Sequence, residues 1–377
     1  MRNSSHYGGK GSDVSEQVAI RLHNIQKAWG DHTVIDALNL DIMRGELTAL
    51  LGPSGCGKST LLRMMAGLET VDQGHIEIKG VDVTQALPAE RHLSMVFQSY
   101  ALFPHLSVAQ NIVFGLTVRK VNKQERDRRL QEALRLTNLV GFEDRKPGEL
   151  SGGQRQRVAL ARSIVSGHDI CLMDEPLSNL DAKLRHSVRH EIRALQQRLG
   201  MTVVYVTHDQ TEALGMADKV VLLNQGRIAQ QGTAQSLYSQ PENTFAASFI
   251  GSPPMMLMAS QLLPVKQWTQ IQTTTVPHCT IGVRPEHLHL VPPSPDLLTA
   301  EVLQQEFQGA ESYIYVRLPD QSALIVRADT QKKYGVGQLL GLSWRPENSH
   351  FFHSETGVRL LGTSPLLFDS SSVAQCA

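Results

Sequence analysis

The sequence predicts an α/β domain interrupted by a helical insertion and followed by a small all-β domain of barrel type. Three observations predict it. From Val18 to about Gly232, short β-branched runs alternate with helical patterns, the signature of parallel strands joined by crossover helices. Between Gln98 and Ser151 the strand pattern stops, and segments such as Lys123 to Leu139 carry helical spacing with charge on the other face. After a Pro- and Gln-rich stretch from Gly251 to Pro277, the chain turns strand-like for most of its remaining length.

In chain order, the expected strands of the first domain are Ala19 to Asn24, Val34 to Ile42, Leu47 to Leu51, His75 to Ile78, Leu93 to Phe97, Ile170 to Met173, Val203 to Val206 and Lys219 to Leu223. The first, second and fourth suit an antiparallel side sheet. In the second domain, Ile281 to Val283, Ser312 to Leu318, Ala323 to Arg327 and Leu339 to Trp344 alternate as barrel strands do. The expected divisions are a disordered arm at 1–17, the α/β domain at 18–250 with a helical subdomain at about 99–165, a linker at 251–277, a barrel at 278–365 and a frayed tail at 366–377.

Composition narrows the function classes. A chain of 377 residues has length for two domains, each with its own core. Lys plus Arg and Asp plus Glu stand at 36 each, so no global field favours nucleic acid or an anionic lipid surface. Cys56, Cys171, Cys279 and Cys376 are scattered without metal-ligand spacing, as in a reducing cytosol. No run approaches the ~18 apolar residues of a membrane span, and Met1 to Gln17 is polar with no signal-peptide core. A membrane role therefore runs through a partner.

The chemistry begins at Gly52-Pro53-Ser54-Gly55-Cys56-Gly57-Lys58-Ser59, which matches the P-loop pattern, follows an apolar strand and opens a helix at Thr60. Glycines let backbone N–H groups converge on phosphate oxygens, and the helix N-terminus adds a favourable dipole. Lys58 reaches the β/γ-phosphates and Ser59 is a magnesium ligand. Further on, the apolar strand from Ile170 ends in Asp174-Glu175, delivering two acids to the sheet edge where doubly wound folds bind ligands. Asp174 is placed to hold magnesium and Glu175 to polarise the attacking water. Such acids more often cap a helix when seen alone, and the P-loop upstream shifts that balance. His208 ends another strand at the same edge, in reach of the γ-phosphate. Gln98 ends the strand before the helical insertion, where its amide senses magnesium and water. Trp29 precedes the P-loop as a face for adenine.

Leu150-Ser151-Gly152-Gly153-Gln154 resembles the signature sequence of ABC ATPases, and the order Trp29, P-loop, Gln98, signature, Asp174-Glu175, Ser178-Asn179-Leu180-Asp181 and His208 is similar to the whole ABC cassette over residues 18 to 250. The resemblance implies a head-to-tail pair, with ATP and Mg2+ held between the P-loop of one subunit and Ser151, Gly152, Gly153 and Gln154 of the other. Arg145 and Asp181 match further nucleotide-binding positions. Ser151 opening a helix supplies positive dipole to a γ-phosphate.

Within that family, Val96 to His105 resembles importers of the maltose, glycerol phosphate, polyamine and ferric-iron type, which share a C-terminal β-barrel called the TOBE domain. Ile281 to His287 resembles a recurring segment of that barrel. Phe249 to Pro253 resembles the junction of the carbohydrate and glycerol phosphate branch, although Met256 stands where that branch usually has Asn. The resemblance implies an import ATPase for such a solute at the cytoplasmic face of a bacterial inner membrane. Its partners are a second copy, transmembrane permease subunits, indirectly an external solute-binding protein, and a regulatory ligand or protein at the barrel. Polyamine, ferric iron and phosphonate are the alternative cargoes. A soluble relative acting on nucleic acid or the ribosome is the rival reading, disfavoured by neutral charge and by the lack of a second cassette.

Overall fold

The computed structural model describes residues 17–271 and 278–360. The expected arm (except Gln17) and tail, and the end of the expected linker, lie outside them. The chain divides into two compact units, 1–234 and 235–377.

The first unit is built on a sheet in the order β10-β9-β3-β8-β7-β6. Its members are β3 (Leu47–Leu51), β6 (Ser94–Val96), β7 (Ile170–Asp174), β8 (Thr202–Val206), β9 (Lys219–Asn224) and β10 (Arg227–Gly232). All neighbours run parallel except the β9–β10 hairpin. Every residue of β3, β7 and β8 is buried, as expected for strands covered on both faces. The two-residue period sorts them between two cores: Ile170, Leu172, Val204 and Val206 face one, and Cys171, Met173, Val203 and Tyr205 face the other. The first core is closed by β1 (Val18–Trp29), β2 (His32–Met43), β4 (Gln73–Ile78) and β5 (Val81–Asp82), an antiparallel sheet in the order β2-β1-β4-β5, and by α1 (Lys58–Ala66).

The insertion folds as α2 (Val108–Val118), α3 (Lys123–Leu136) and α4 (Gly152–Val165), with its own core of Val108, Ile112, Leu116, Leu134, Val158 and Val165. Capping explains where these helices start. Ser107 and Gln110 form a capping box at α2, Asn122 caps α3, and Ser151 with Gln154 forms a second box at α4. Beyond it, α5 (Ala182–Leu199) is capped by Asp181 and stopped by left-handed Gly200, and α6 (Gln210–Met216) follows β8.

The second unit begins earlier than the expected boundary at 250. Residues 235–250, including all but the first residue of α7 (Ala234–Ser239) and the whole of α8 (Thr244–Phe249), group with the C-terminal part. A buried guanidinium is one of the ties, beside the Asn243–Val358 bridge and the packing of Ala247 on Phe352. Arg284 donates to the carbonyls of Tyr238 (2.7 Å) and Ile250, and lies 4.0 Å from the Tyr238 ring centroid. Tyr238 in turn donates to Glu286 at 2.5 Å. The expected linker is likewise structured where described: β11 (Met256–Ala259) pairs with β12 (Cys279–Val283), and α9 (Val265–Ile271) buries Ile271 in the domain core. The expected barrel is two antiparallel sheets about one core. One has the order β11-β12-β18. The other is β13-β17-β14-β15-β16, formed by β13 (His289–Val291), β14 (Leu298–Phe307), β15 (Ser312–Arg317), β16 (Ala323–Ala328) and β17 (Leu339–Ser343), with β18 (His350–His353) completing the first.

Candidate active site

The carboxyl ends of β3, β6, β7 and β8 lie on one edge of a parallel sheet, so the segments that follow them meet there. After β3, Gly52–Ser59 wraps into α1. Two glycines are required by contact as well as by φ. A Cβ on Gly57 (φ 100°) would stand 2.5 Å from Ile35 Cδ1, and one on Gly52 (φ 153°) 2.3 Å from the Leu223 carbonyl. No side chain caps α1, which leaves its first-turn N–H groups as donors for an anion. Lys58, only 6% exposed, donates through Nζ to the carbonyls of Gly52 and Pro53, both at 2.8 Å, and so draws the loop around its ammonium. Cys56 is buried beneath, its thiol pushed up by burial, with Lys58 partly opposing.

From β7, Asp174 is buried and accepts from Ser59 Oγ at 2.7 Å, which joins two of the expected metal ligands. Both are hard oxygens suited to magnesium, which binds through few protein ligands and keeps phosphate oxygens and water for the rest. No group of three or more His, Cys, Asp or Glu residues suited to a metal occurs among the described residues. Glu175 takes a left-handed φ of 43° and donates its N–H to Val206, turning its side chain out of the strand line. It meets Gln98 and His208: Gln98 Nε2 lies 3.3 Å from Oε2, and His208 Nδ1 lies 3.2 Å from Oε1. Three residues far apart in sequence thus form one cluster. The ground under His208 is held by a buried carboxylate, Glu212, which accepts from Tyr205 at 2.9 Å and from Thr207 at 2.8 Å. Burial first, then Glu212, pushes the Tyr205 phenol well up, so it stays a donor.

Other expected residues stand apart from this cluster. Thr60 continues α1. Trp29, 55% exposed, ends β1 at the turn to His32. Arg145 lies over the Phe142 ring at 4.6 Å, and Asp181 spends its carboxylate on the Leu184 N–H. Ser151 accepts from Gln154 N–H at 3.3 Å, and Gly152 and Gly153 form the first turn of α4, close to Leu180 and Leu184. Among the described residues no hydrogen bond or ion pair joins Ser151–Gln154 to the P-loop of the same chain. One residue carries a role that sequence reasoning passed over: Asn179 Nδ2 donates to the Gln98 carbonyl at 2.8 Å. Its signal was its place between the acid pair and Asp181.

Comparison with known proteins agrees with this geometry. A family model described as ABC transporter matches residues 35–178, and one described as TOBE domain matches 281–352. The chain is 42% identical over 362 residues to the sn-glycerol-3-phosphate import ATP-binding protein UgpC of Cupriavidus necator, covering 90% of this chain and 99% of the relative. It is 42% identical over 367 residues to the maltose/maltodextrin import ATP-binding protein MalK of Shigella flexneri, covering 92% and 99%. Among solved structures, cbiO1 of Clostridium perfringens, part of the ABC transporter complex cbiONQ, superposes with a TM-score of 0.56 at 28% identity, covering 60% of this chain and 92% of that one. The dimeric bacterial ABC transporter cassette MJ0796 superposes at 0.52 with 31% identity, covering 57% and 98%. A P-loop, an acid pair and a signature helix, continued by a TOBE region and matched over nearly the full length of these relatives, make the chain a member of the ABC importer ATP-binding subunits.

Proposed function

We propose that this ABC ATPase drives uptake of a glycerol phosphate or a maltodextrin-type carbohydrate, as one of two ATP-binding subunits on a permease at the cytoplasmic face of a bacterial inner membrane. The observation that carries the catalytic part is the meeting of Gln98, Glu175 and His208 beside the P-loop edge. The solute class rests on relatives named for sn-glycerol-3-phosphate and for maltose/maltodextrin. Among the described residues no helix is long and apolar enough to cross a membrane, in keeping with a permease partner that does.

In this reading Lys58 and the first-turn N–H groups of α1 hold the β/γ-phosphates, and Trp29 stacks on adenine. Ser59, Asp174 and Gln98 would hold Mg2+, which when bound would supply neutralising charge to the phosphate oxygens. Glu175 accepts the proton of the attacking water, while His208 and Gln98 orient that water. Ser151 to Gln154 of the second copy face the γ-phosphate with the dipole of their helix, and Arg145 and Asp181 lie at the same shared boundary. A groove of about 320 Å³ beside Gln98, lined by Phe97, Ala101, Phe103 and Phe114, suits an apolar segment of the permease. ATP bound between two subunits favours the closed pair, and hydrolysis reopens it. The C-terminal unit serves as a seat for a regulatory ligand or protein.

The test is complementation. Supplied to strains lacking the ATPase subunit of a glycerol phosphate importer or of a maltose importer, the chain should restore uptake of one solute. Restoration of neither, with ATP hydrolysis intact and the permeases present, refutes the solute assignment.

A further inference from the structure

Arg162 lies near the C-terminal end of α4, the helix that Ser151 opens, yet its side chain serves the loop that carries Gln98. Its Nη1 donates to the Ala101 carbonyl and its Nη2 to the Tyr100 carbonyl, each at 2.7 Å. Tyr100 and Ala101 are consecutive left-handed residues, with φ of 63° and 45°. A Cβ makes that conformation unfavourable, so the pair persists only where its surroundings impose it. Burial pushes the Arg162 guanidinium below its ordinary value, and no acid offsets that burial. A half-buried cation held by carbonyls alone, gripping a strained loop, points to a role beyond simple stability.

The near end of the same loop is anchored elsewhere. Asn179, in the segment after Asp174 and Glu175, holds the Gln98 carbonyl, and the Gln98 amide reaches Glu175. The loop is therefore held twice, by the segment after β7 and by α4, whose Ala159, Leu160 and Ser163 pack against β6 and β7. With 14 residues, α4 is a rod about 21 Å long, packed along Val158, Ala161 and Val165. Ser151 to Gln154 and Arg162 thus stand at opposite ends of one helix.

We propose that Arg162 is a positioning residue for hydrolysis, coupling the seat of the signature helix to the place of the Gln98 amide at Glu175. Released from its grip, the left-handed pair relaxes and Gln98 leaves Glu175. The proposal rests on the roles given above to Gln98 and Glu175, and its test separates the two.

Arg162→Lys, Gln98→Ala and the double variant are compared as full-length chains. Arg162→Lys should lower kcat about tenfold, with KM for ATP and the ATP affinity of the isolated subunit within about twofold of the parent. In the Gln98→Ala background it should cost less than about twofold more, because its effect passes through the amide already removed. Ala101→Gly, at home at a φ of 45°, removes the strain that the guanidinium opposes, so in the Arg162→Lys background it should recover kcat about threefold, again only when Gln98 is present. Parental kcat in Arg162→Lys, or losses that multiply in the double variant, overturn the proposal. If Arg162→Lys does not fold, Arg162→Gln decides by the same comparison, and parental kcat there overturns the proposal equally. Parental kcat in Gln98→Ala instead refutes the role of Gln98, and the proposal falls with it.

Discussion

Glu175→Gln isolates the base from everything else at the site. The side chains are isosteric, and the left-handed φ of 43° penalises Glu and Gln alike, so the fold is unaffected. Two contacts change: Glu175 Oε2 receives the Gln98 amide at 3.3 Å, and Oε1 faces His208 Nδ1 at 3.2 Å. A carboxamide offers one acceptor oxygen where the carboxylate offered two, and it cannot take a proton from water. Losing a positioned general base costs about 10²–10⁴ in rate, or roughly 3–5 kcal/mol of barrier. Lys58, Ser59 and Asp174 keep their mutual contacts, so ATP affinity should stay within about twofold of the parent. Phosphate release under saturating ATP measures the first quantity, and calorimetric titration with ATP and magnesium the second. Light scattering with ATP should show the variant accumulating as a pair. Turnover within about twofold of the parent refutes the assignment of Glu175 as base.

Lys58→Ala removes the ammonium that the Gly52 and Pro53 carbonyls enclose; ATP affinity should fall at least about tenfold by calorimetry, and unchanged affinity contradicts its phosphate role. Ser151→Arg should abolish hydrolysis in the pair while the isolated subunit binds ATP as before, because no bond of Ser151 reaches its own P-loop; a matching loss of subunit binding argues against a shared site. Burial, aided by the positive charges of Arg359 and Arg284 and by the neighbouring His287, pushes the His350 imidazole down to about 4. The unfolded imidazole titrates near ~6.5, so below that pH the unfolded chain takes a proton that the folded chain refuses. Stability is intact above this value and drops by at most about 2 kcal/mol between pH 7 and pH 5. His350→Gln should flatten that part of the melting profile, and an unchanged slope refutes the attribution.

The parallel sheet was legible because strands covered on both faces read as unbroken apolar runs, as in Ile170–Asp174 and Thr202–Val206. The site was legible because those runs end in polar residues at one edge. Gln98 and Glu175 stand 77 positions apart, and only the strand order brings them into contact. Less legible were features that depend on backbone acceptors. Every residue carries a carbonyl, so nothing in the letters says that Tyr238 and Ile250 will receive Arg284, or that Tyr100 and Ala101 will receive Arg162. The strand β14 escaped notice because its inward residues Leu298, Ala300 and Val302 give way to a polar stretch beyond a register shift. Pro and Gln content suggested a linker where Met256, Met258 and Ile271 are core residues.

The grip of Arg284 fixes where relatives of this chain can exchange their C-terminal parts. A chimaera spliced at 250 would unite an Arg284 from one parent with Tyr238 and Ile250 carbonyls from another, around a guanidinium that is 2% exposed. Carbonyls are common to every parent, but a different backbone path at 250 or a lost Tyr238 ring would leave that cation without its partners in the interior, a costly error for a domain graft. A splice at 234 keeps the arginine and its acceptors in one inheritance. The natural seam of this protein is therefore set by hydrogen-bond ownership, upstream of the Pro-rich stretch that looks like a hinge.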